Sequence, residues 1–474
     1  MTALRLEGQS ITIDDVVAVA DGASIELAPD VVGAIARARR VVESVQASGS
    51  AVYGLNTHLG AGRDTRVAAD EVAAFQNRVI DNHRGSIGDP LPEREVRALI
   101  FARVVGFSLG GSGVRPELAD AYGRLLDGGQ LPEVYATGSV GASDLALLAE
   151  IAAHVRQSLP FAAGEALAAI SANSYSIGVG ALAVAELRAL VAEADAVAAL
   201  SLEALGAVGG GGSFSPFDDR VHRHRRSPGQ QQTARAIRAR VAGGFLDAPE
   251  REGSVQDPLS FRTVPQVHGA VRDATALAAS AIEDELNTAG DNPLVVLGGD
   301  DVMLSNGNFE PLTLVLSLES LRVALAHLAG ISERRIAVLS GVATPLRRSG
   351  SNAVPGLSWY AAAASLAEVR HLANPVSTSG TTLSQVEDQA SFAPLAVRLL
   401  QQQIGLCRQI FAVEALHAAE LVRSLDAPPR LGRGTRQLAA ELVERIRRLD
   451  TARDLVIDAV KAVALAGRRD TIDQ

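Results

Sequence analysis

Read for the alternation of apolar and polar positions, the chain is helical almost from end to end. Apolar residues recur at three- and four-residue spacing over roughly 180–205, 262–288, 310–342, 357–373 and 388–424, with few breakers inside. Helices of that length cannot hide their apolar stripes one at a time, so the pattern predicts a bundle. The stripes at 310–342 and 388–424 are wider than a monomer's surface helix requires, which predicts self-association. Two-residue alternation is confined to short pieces such as "SITI" (10–13) and "NPLVVL" (292–297), read as strands. Thr12 with Asp15 makes a capping pattern ahead of "VVAVA". Gly, Pro and Ser gather at 206–219 and 425–434, and the first of these runs reads either as a linker or as a loop over a site. No internal repeat is visible. The expected fold is mainly α. It is one unit over 1–474, with a smaller mixed head at 1–205 carrying a loop at 138–146, and a long helical bundle at 206–474.

Composition narrows the function classes. With 474 residues and 47% hydrophobic content the chain can bury a large core. A net charge of −10 argues against nucleic acid as a partner, which needs a basic face. One stretch dissents, "DDRVHRHRRSPGQ" (218–230), with four arginines and two histidines. It reads as a solvated surface loop, the alternative being a catalytic or assembly role for one of its residues. The single cysteine, Cys407, excludes an internal disulfide and a cysteine metal cluster, and fits a reducing compartment. The first residues hold no apolar signal core, and no uninterrupted apolar run reaches about 18 residues. A soluble, cytoplasmic protein with no metal and no membrane partner is expected.

Candidate chemistry begins at 138–154, "GSVGASDLALLAEIAAH", a loop of small residues running into an aspartate and an apolar helix. Four further stretches place Tyr, His, Arg or Glu beside Gly or Pro: "VYGLNTHLGAG" (52–62), "FQNRVIDNHRGSIGDPL" (75–91), "VQDPLSFRTVPQVHGA" (255–270) and "LSQVEDQASFAP" (383–394). Singly they are ordinary. A Tyr-Gly pair makes a turn, His83 reads as a hydrogen-bonded structural residue, and Arg262 and Glu387 read as exposed charges. Their joint occurrence is what carries weight.

In this order and at these intervals the segments resemble the histidine and phenylalanine ammonia-lyase family, over nearly the whole chain. "VYGLNTHLG", which includes Tyr53 and His58, looks like the family's Tyr-Gly-Val-Asn-Thr-Gly-Phe-Gly loop. "VQDPLSFRTVPQVHGA" resembles its Val-Gln-Asp-Pro-Tyr-Ser-Leu-Arg segment, and "NTAGDNPLVV" and "LSNGNF" also look like family segments. Asn82 and His83 stand where histidine lyases have Ser-His, and Glu387 stands where they carry a glutamate, so the histidine branch is nearest. The resemblance implies a helical bundle like that of the fumarase and aspartase group. It also implies removal of ammonia from an aromatic α-amino acid, or transfer of the amine to the β-carbon. Tyr53 would be the base, Arg262 would clamp the carboxylate of a small-molecule substrate, and His83 and Glu387 would orient a polar group. Asn82, His58, Leu259 and Ser171 would border the substrate. A homotetramer with active sites composed from several chains is implied as well.

The same comparison exposes departures. The family closes an Ala-Ser-Gly tripeptide into a methylidene-imidazolone ring, the electron sink that helps a poor amine leave. Here the sequence reads Ala142-Ser143-Asp144, and deleting one residue brings Asp144, Leu145, Ala146, Leu148 and Ala149 into register. The glycine is therefore missing. Closure needs the amide nitrogen after the serine to reach the alanine carbonyl through a very tight turn, which glycine permits because it lacks a Cβ. In this chain the nitrogen belongs to Asp144, otherwise the N-cap of the following helix, so no ring and no other cofactor is expected. Leu259 replaces the family's tyrosine, and Ser171 aligns with its asparagine, for which Asn173 could partly substitute. Three readings follow: a ring-free lyase-type enzyme acting by elimination, addition or cyclisation; a ring-dependent ammonia-lyase or aminomutase; and an inactive homologue retained as a binding subunit.

Overall fold

The computed structural model describes residues 3–248, 255–347, 354–378, 387–448 and 451–472. It is mainly α, and each long periodic stretch is a helix: Ser174–Ala207, Val264–Leu286, Leu312–Arg347, Ser358–His371 and Ala393–Arg423. "SITI" is not a strand. Thr12 caps a helix that starts one residue later, Ile13–Ala20. Its hydroxyl accepts from Asp15 N at 3.3 Å while the Asp15 carboxylate accepts from Thr12 N at 2.9 Å. Two reciprocal hydrogen bonds outweigh a four-residue alternation. "NPLVVL" does hold a strand, Leu294–Val296, paired antiparallel with Val302–Leu304. The other short ladders are parallel Leu4–Leu6 with Ile25–Leu27 and antiparallel Ile87–Pro90 with Tyr135–Thr137.

The chain divides into two compact units. The first comprises Met1–Ala185, Ala278–Leu318 and Pro375–Arg398. Its helix Glu93–Ser108 is buried along most of its length. One core cluster joins Ala38, Val41 and Val42 of the helix Pro29–Ser48 to Leu55, Ala163 and Val295. Burying that apolar surface contributes roughly 25 cal/mol per Å² removed from water. Arg103, on the buried helix, pairs with buried Asp291 at 2.6 Å and also donates to Ala168 O. This ties segments distant in sequence to one another.

The second unit comprises Glu186–Leu277, Glu319–Asn374 and Leu399–Gln474. Fully buried Glu414 accepts from Arg335, from Ser201 at 2.6 Å and from Ser332 at 2.6 Å. Asp195 accepts from His268 at 2.7 Å and from Arg272 at 2.8 Å, again with no exposure of the carboxylate. Both carboxylates are satisfied by several donors, which a buried charge requires. The helix Leu312–Arg347 is long and apolar enough over Leu312–Ala343 to cross a membrane, but it carries Arg322 and Arg335, both wholly buried in protein. Part of the basic stretch at 218–230 is paired within itself. Arg220 binds Asp218, Arg223 binds Asp219, and His222 is buried against Pro216 O and Gln230.

Candidate active site

A cavity of about 810 Å³ opens in the first unit. Its wall brings together Tyr53, His58, Asn82, His83, Ala142, Ser143, Ser171 and Glu387, all singled out in the sequence. Glu387 opens the described part of its segment; 383–386 of "LSQVEDQASFAP" lie outside the described residues. Arg262 and Leu259 are not in this wall. They occupy a short helix, Leu259–Arg262, in the second unit.

Tyr53 sits in a turn that only glycine can complete. Gly54 has φ +68°, and a Cβ there would fall 2.2 Å from Leu167 Cδ2. Tyr53 Oη accepts from Gly60 N at 3.1 Å. Burial raises the phenol's pKa, and the Glu387 carboxylate raises it further, against the Gly60 hydrogen bond and the Arg63 charge, which lower it. The free enzyme therefore holds Tyr53 as the neutral phenol at neutral pH.

One face of the helix Val72–His83 lines the cavity. Phe75, Arg78, Val79, Asn82 and His83 follow the three- and four-residue spacing of a single stripe, while Gln76 on another face accepts from Ala166 N. His83 ends the helix, and its Nδ1 lies 2.7 Å from Val79 O. That contact selects the tautomer donating from Nδ1 and leaves Nε2 as an acceptor. His58 meets the Phe75 ring edge-on, centroids 5.3 Å apart.

The small-residue loop forms another wall. Gly141 has φ +95°, and a Cβ would fall 2.3 Å from Ser391 Oγ. Ser143 holds φ +60°, a strained conformation for a residue with a Cβ. Asp144 is fully buried. It was expected to cap the following helix, Leu145–Arg156, and its backbone does so: Leu148 N donates to Asp144 O. Its side chain does not. The carboxylate turns to the start of the helix Ser174–Ala207, accepting from Ser176 N at 3.0 Å and Ser176 Oγ, and from Ser139 Oγ at 2.9 Å. Burial pushes its pKa up to about 6 despite those donors. The Asp144 amide donates to Ala172 O at 2.7 Å. Asn173 points elsewhere, its Nδ2 donating to Phe309 O at 2.7 Å, and it is not in the cavity wall.

Sequence reading missed Arg63, Arg78, Asn292, Ser305 and Phe309, which also line the cavity. Arg78 was findable, since it stands three residues from Phe75 and four from Asn82 on one helical face. Among the described residues no group of three or more His, Cys, Asp and Glu is placed to hold a metal ion.

The aromatic amino acid lyase family model matches residues 11–159 and 155–444. The histidine ammonia-lyase of Alkaliphilus metalliredigens is 31% identical over 100% of this chain and 98% of its own length. That of Sorangium cellulosum is 37% identical over 81% of this chain and 82% of its own. Among solved structures, an ergothioneine-degrading enzyme, ergothionase from Treponema denticola in complex with desmethyl-ergothioneine sulfonic acid, superposes with a TM-score of 0.90. It is 25% identical over 98% of this chain and 99% of that one. The tyrosine aminomutase of Streptomyces globisporus superposes at 0.87, also 25% identical, over 99% and 98%. With the cavity, the fold and the sequence agreeing, the chain is a lyase of the aromatic amino acid lyase family.

Proposed function

We propose that the chain is a lyase acting on an amino-acid-like carboxylate without a methylidene-imidazolone ring. The observation that carries this is the state of residue 144. Ring closure in the family uses the amide nitrogen after the serine; here that amide donates to Ala172 O, and its side chain is anchored at Ser139 and Ser176. Turning this nitrogen onto the Ala142 carbonyl would break the Ala172 hydrogen bond. It would also drag a buried carboxylate from its donors, at a cost of about 1–3 kcal/mol for each buried group left unpaired. The residues present do not suit the ring. Without that electron sink, the departing group must be easier to expel than a free amine, or the reaction runs as an addition or cyclisation. Tyr53 exchanges the proton, His83 offers Nε2 to the substrate's polar group, and Glu387 orients the same group. Arg262, the clamp implied by resemblance, lies in the second unit.

The ergothionase neighbour supports this reading, since its name records degradation of ergothioneine and not release of ammonia. The identity to histidine ammonia-lyases favours the ring-dependent alternative. Intact-mass measurement separates the two, because ring formation removes two waters. Purified protein should show the full unmodified mass and no ammonia release from histidine, phenylalanine or tyrosine. Ergothioneine belongs in the same panel. A mass short by two waters, or robust ammonia release, would refute the proposal.

A further inference from the structure

The cavity wall carries a charge that the chain itself leaves unmatched. Arg78 stands on the stripe of the helix Val72–His83 that faces the cavity, three residues after Phe75 and four before Asn82. Its guanidinium has no ion pair and no hydrogen bond among the described residues. Asp81, three residues on and within helical reach, accepts from Arg156 at 2.6 Å instead. The other arginine of the wall, Arg63, has Asp64 beside it at 3.8 Å, and the Glu387 charge bears on Tyr53. Asn82 lines the same wall, and its side-chain amide is also without a partner among the described residues. Residues four apart on a helix are neighbours, with Cβ atoms about 5–6 Å apart. Helical side chains lean toward the N-terminus, so the Asn82 amide comes back over the turn that carries Arg78 and away from the carbonyls of the last turn.

We propose that the substrate carries a second anionic group on its side chain, and that Arg78 and Asn82 receive it. The lyase reading accounts for one anion only, the carboxylate for which Arg262 is the clamp. Arg78 is a further cation on the cavity face, on the same stripe as Phe75 and His83, and it faces whatever the cavity binds. A guanidinium presents a planar fork of donors that matches a carboxylate, sulfonate or phosphate, and the Asn82 amide adds a donor to the same group. Such a substrate is an amino-acid-like molecule with an acid group besides its α-carboxylate. The inference rests on the reading of this cavity as the site of an amino-acid-like carboxylate, and holds with or without a ring at 142–144.

The probes are unsaturated acids, the kind of product an elimination leaves, followed by titration calorimetry on the full-length protein. Cinnamate has one charge, 3- and 4-carboxycinnamate have two, and the corresponding nitrocinnamates keep the shape of the second group without its charge. The wild type should bind a carboxycinnamate about tenfold tighter than its nitro counterpart, the gain expected for one charge-assisted hydrogen bond. Arg78→Gln should abolish that preference and leave cinnamate affinity and the melting temperature in place, since the side chain is exposed. Asn82→Ala should narrow the preference, and Arg262→Ala should weaken all the acids alike. A wild type without the preference overturns the inference, as does a preference intact in Arg78→Gln or Asn82→Ala, and either result leaves the lyase reading standing. Binding of none of these acids by the wild type removes that reading and this inference with it.

Discussion

At the scale of single residues, the reacting proton is governed first by the burial of Tyr53, to which the charge of Glu387 adds. A buried phenol with a carboxylate in the same cavity resists ionisation, so the base is scarce at neutral pH and grows as pH rises. Turnover should therefore climb on the alkaline side, with its limb above the ordinary range for a tyrosine. Glu387→Gln removes the charge that raises the phenol, so this limb should move to lower pH; Tyr53→Phe should abolish turnover with the fold intact. A limb that stays in place in Glu387→Gln would separate the two groups. Much of this residue set was legible in sequence. Tyr53, His83 and Glu387 stand in segments whose order resembles the family, and the cavity gathers them. The fate of the Asp144 side chain was not legible. Its donors lie five residues back and 32 residues ahead, and sequence shows the local helix start without the competing one.

At the scale of elements, Asp144 links the loop at 138–144 to the start of the helix Ser174–Ala207, and that link titrates. Its folded-state value is raised to about 6 from an ordinary 3.8, so the folded chain holds the proton more tightly than the unfolded chain. The resulting stability is fully present below the unfolded value and is lost as pH rises through the folded one, by about 3 kcal/mol at 1.36 kcal/mol per unit. Buried Glu203, pushed up to about 7 while accepting from Gly432 N and Thr435, adds a dependence of the same sign. Asp144→Asn keeps an acceptor without charge. Denaturant titrations between about pH 4 and pH 7 should show a shallower fall in stability for this variant than for wild type, because the Asp144 part of the dependence is gone. Equal slopes would mean that Asp144 is not the titrating link. Long helices were the most legible elements because their period repeats over many turns. "SITI" misled because four residues carry too little periodicity to compete with a capping box.

At the scale of the whole molecule, the wide apolar stripes pointed to a homotetramer. In the helix Ala393–Arg423 the stripe is mostly buried within this chain, so it no longer argues for a partner. The helix Leu312–Arg347 keeps its case: Leu312, Leu316 and Val323 are exposed along one face. We therefore expect a homotetramer with dihedral symmetry, in which Arg262 and Tyr53 of different chains share sites. Co-expressing inactive Tyr53→Phe and Arg262→Ala chains should restore partial activity. A monomer by light scattering at micromolar concentration, or no restoration, would defeat the assembly. Where Arg262 acts could not be read from one chain's sequence, because order along a chain does not say which copy supplies a residue.

The hydrogen bond from Asp144 N to Ala172 O has a temporal consequence. A chain that builds its electrophile from its own backbone runs two clocks after synthesis, folding and then cyclisation. On the ring-free reading this chain runs only the first. Freshly refolded enzyme reaches full activity as fast as it folds, with no maturation lag and no electrophile for cyanide or borohydride to quench.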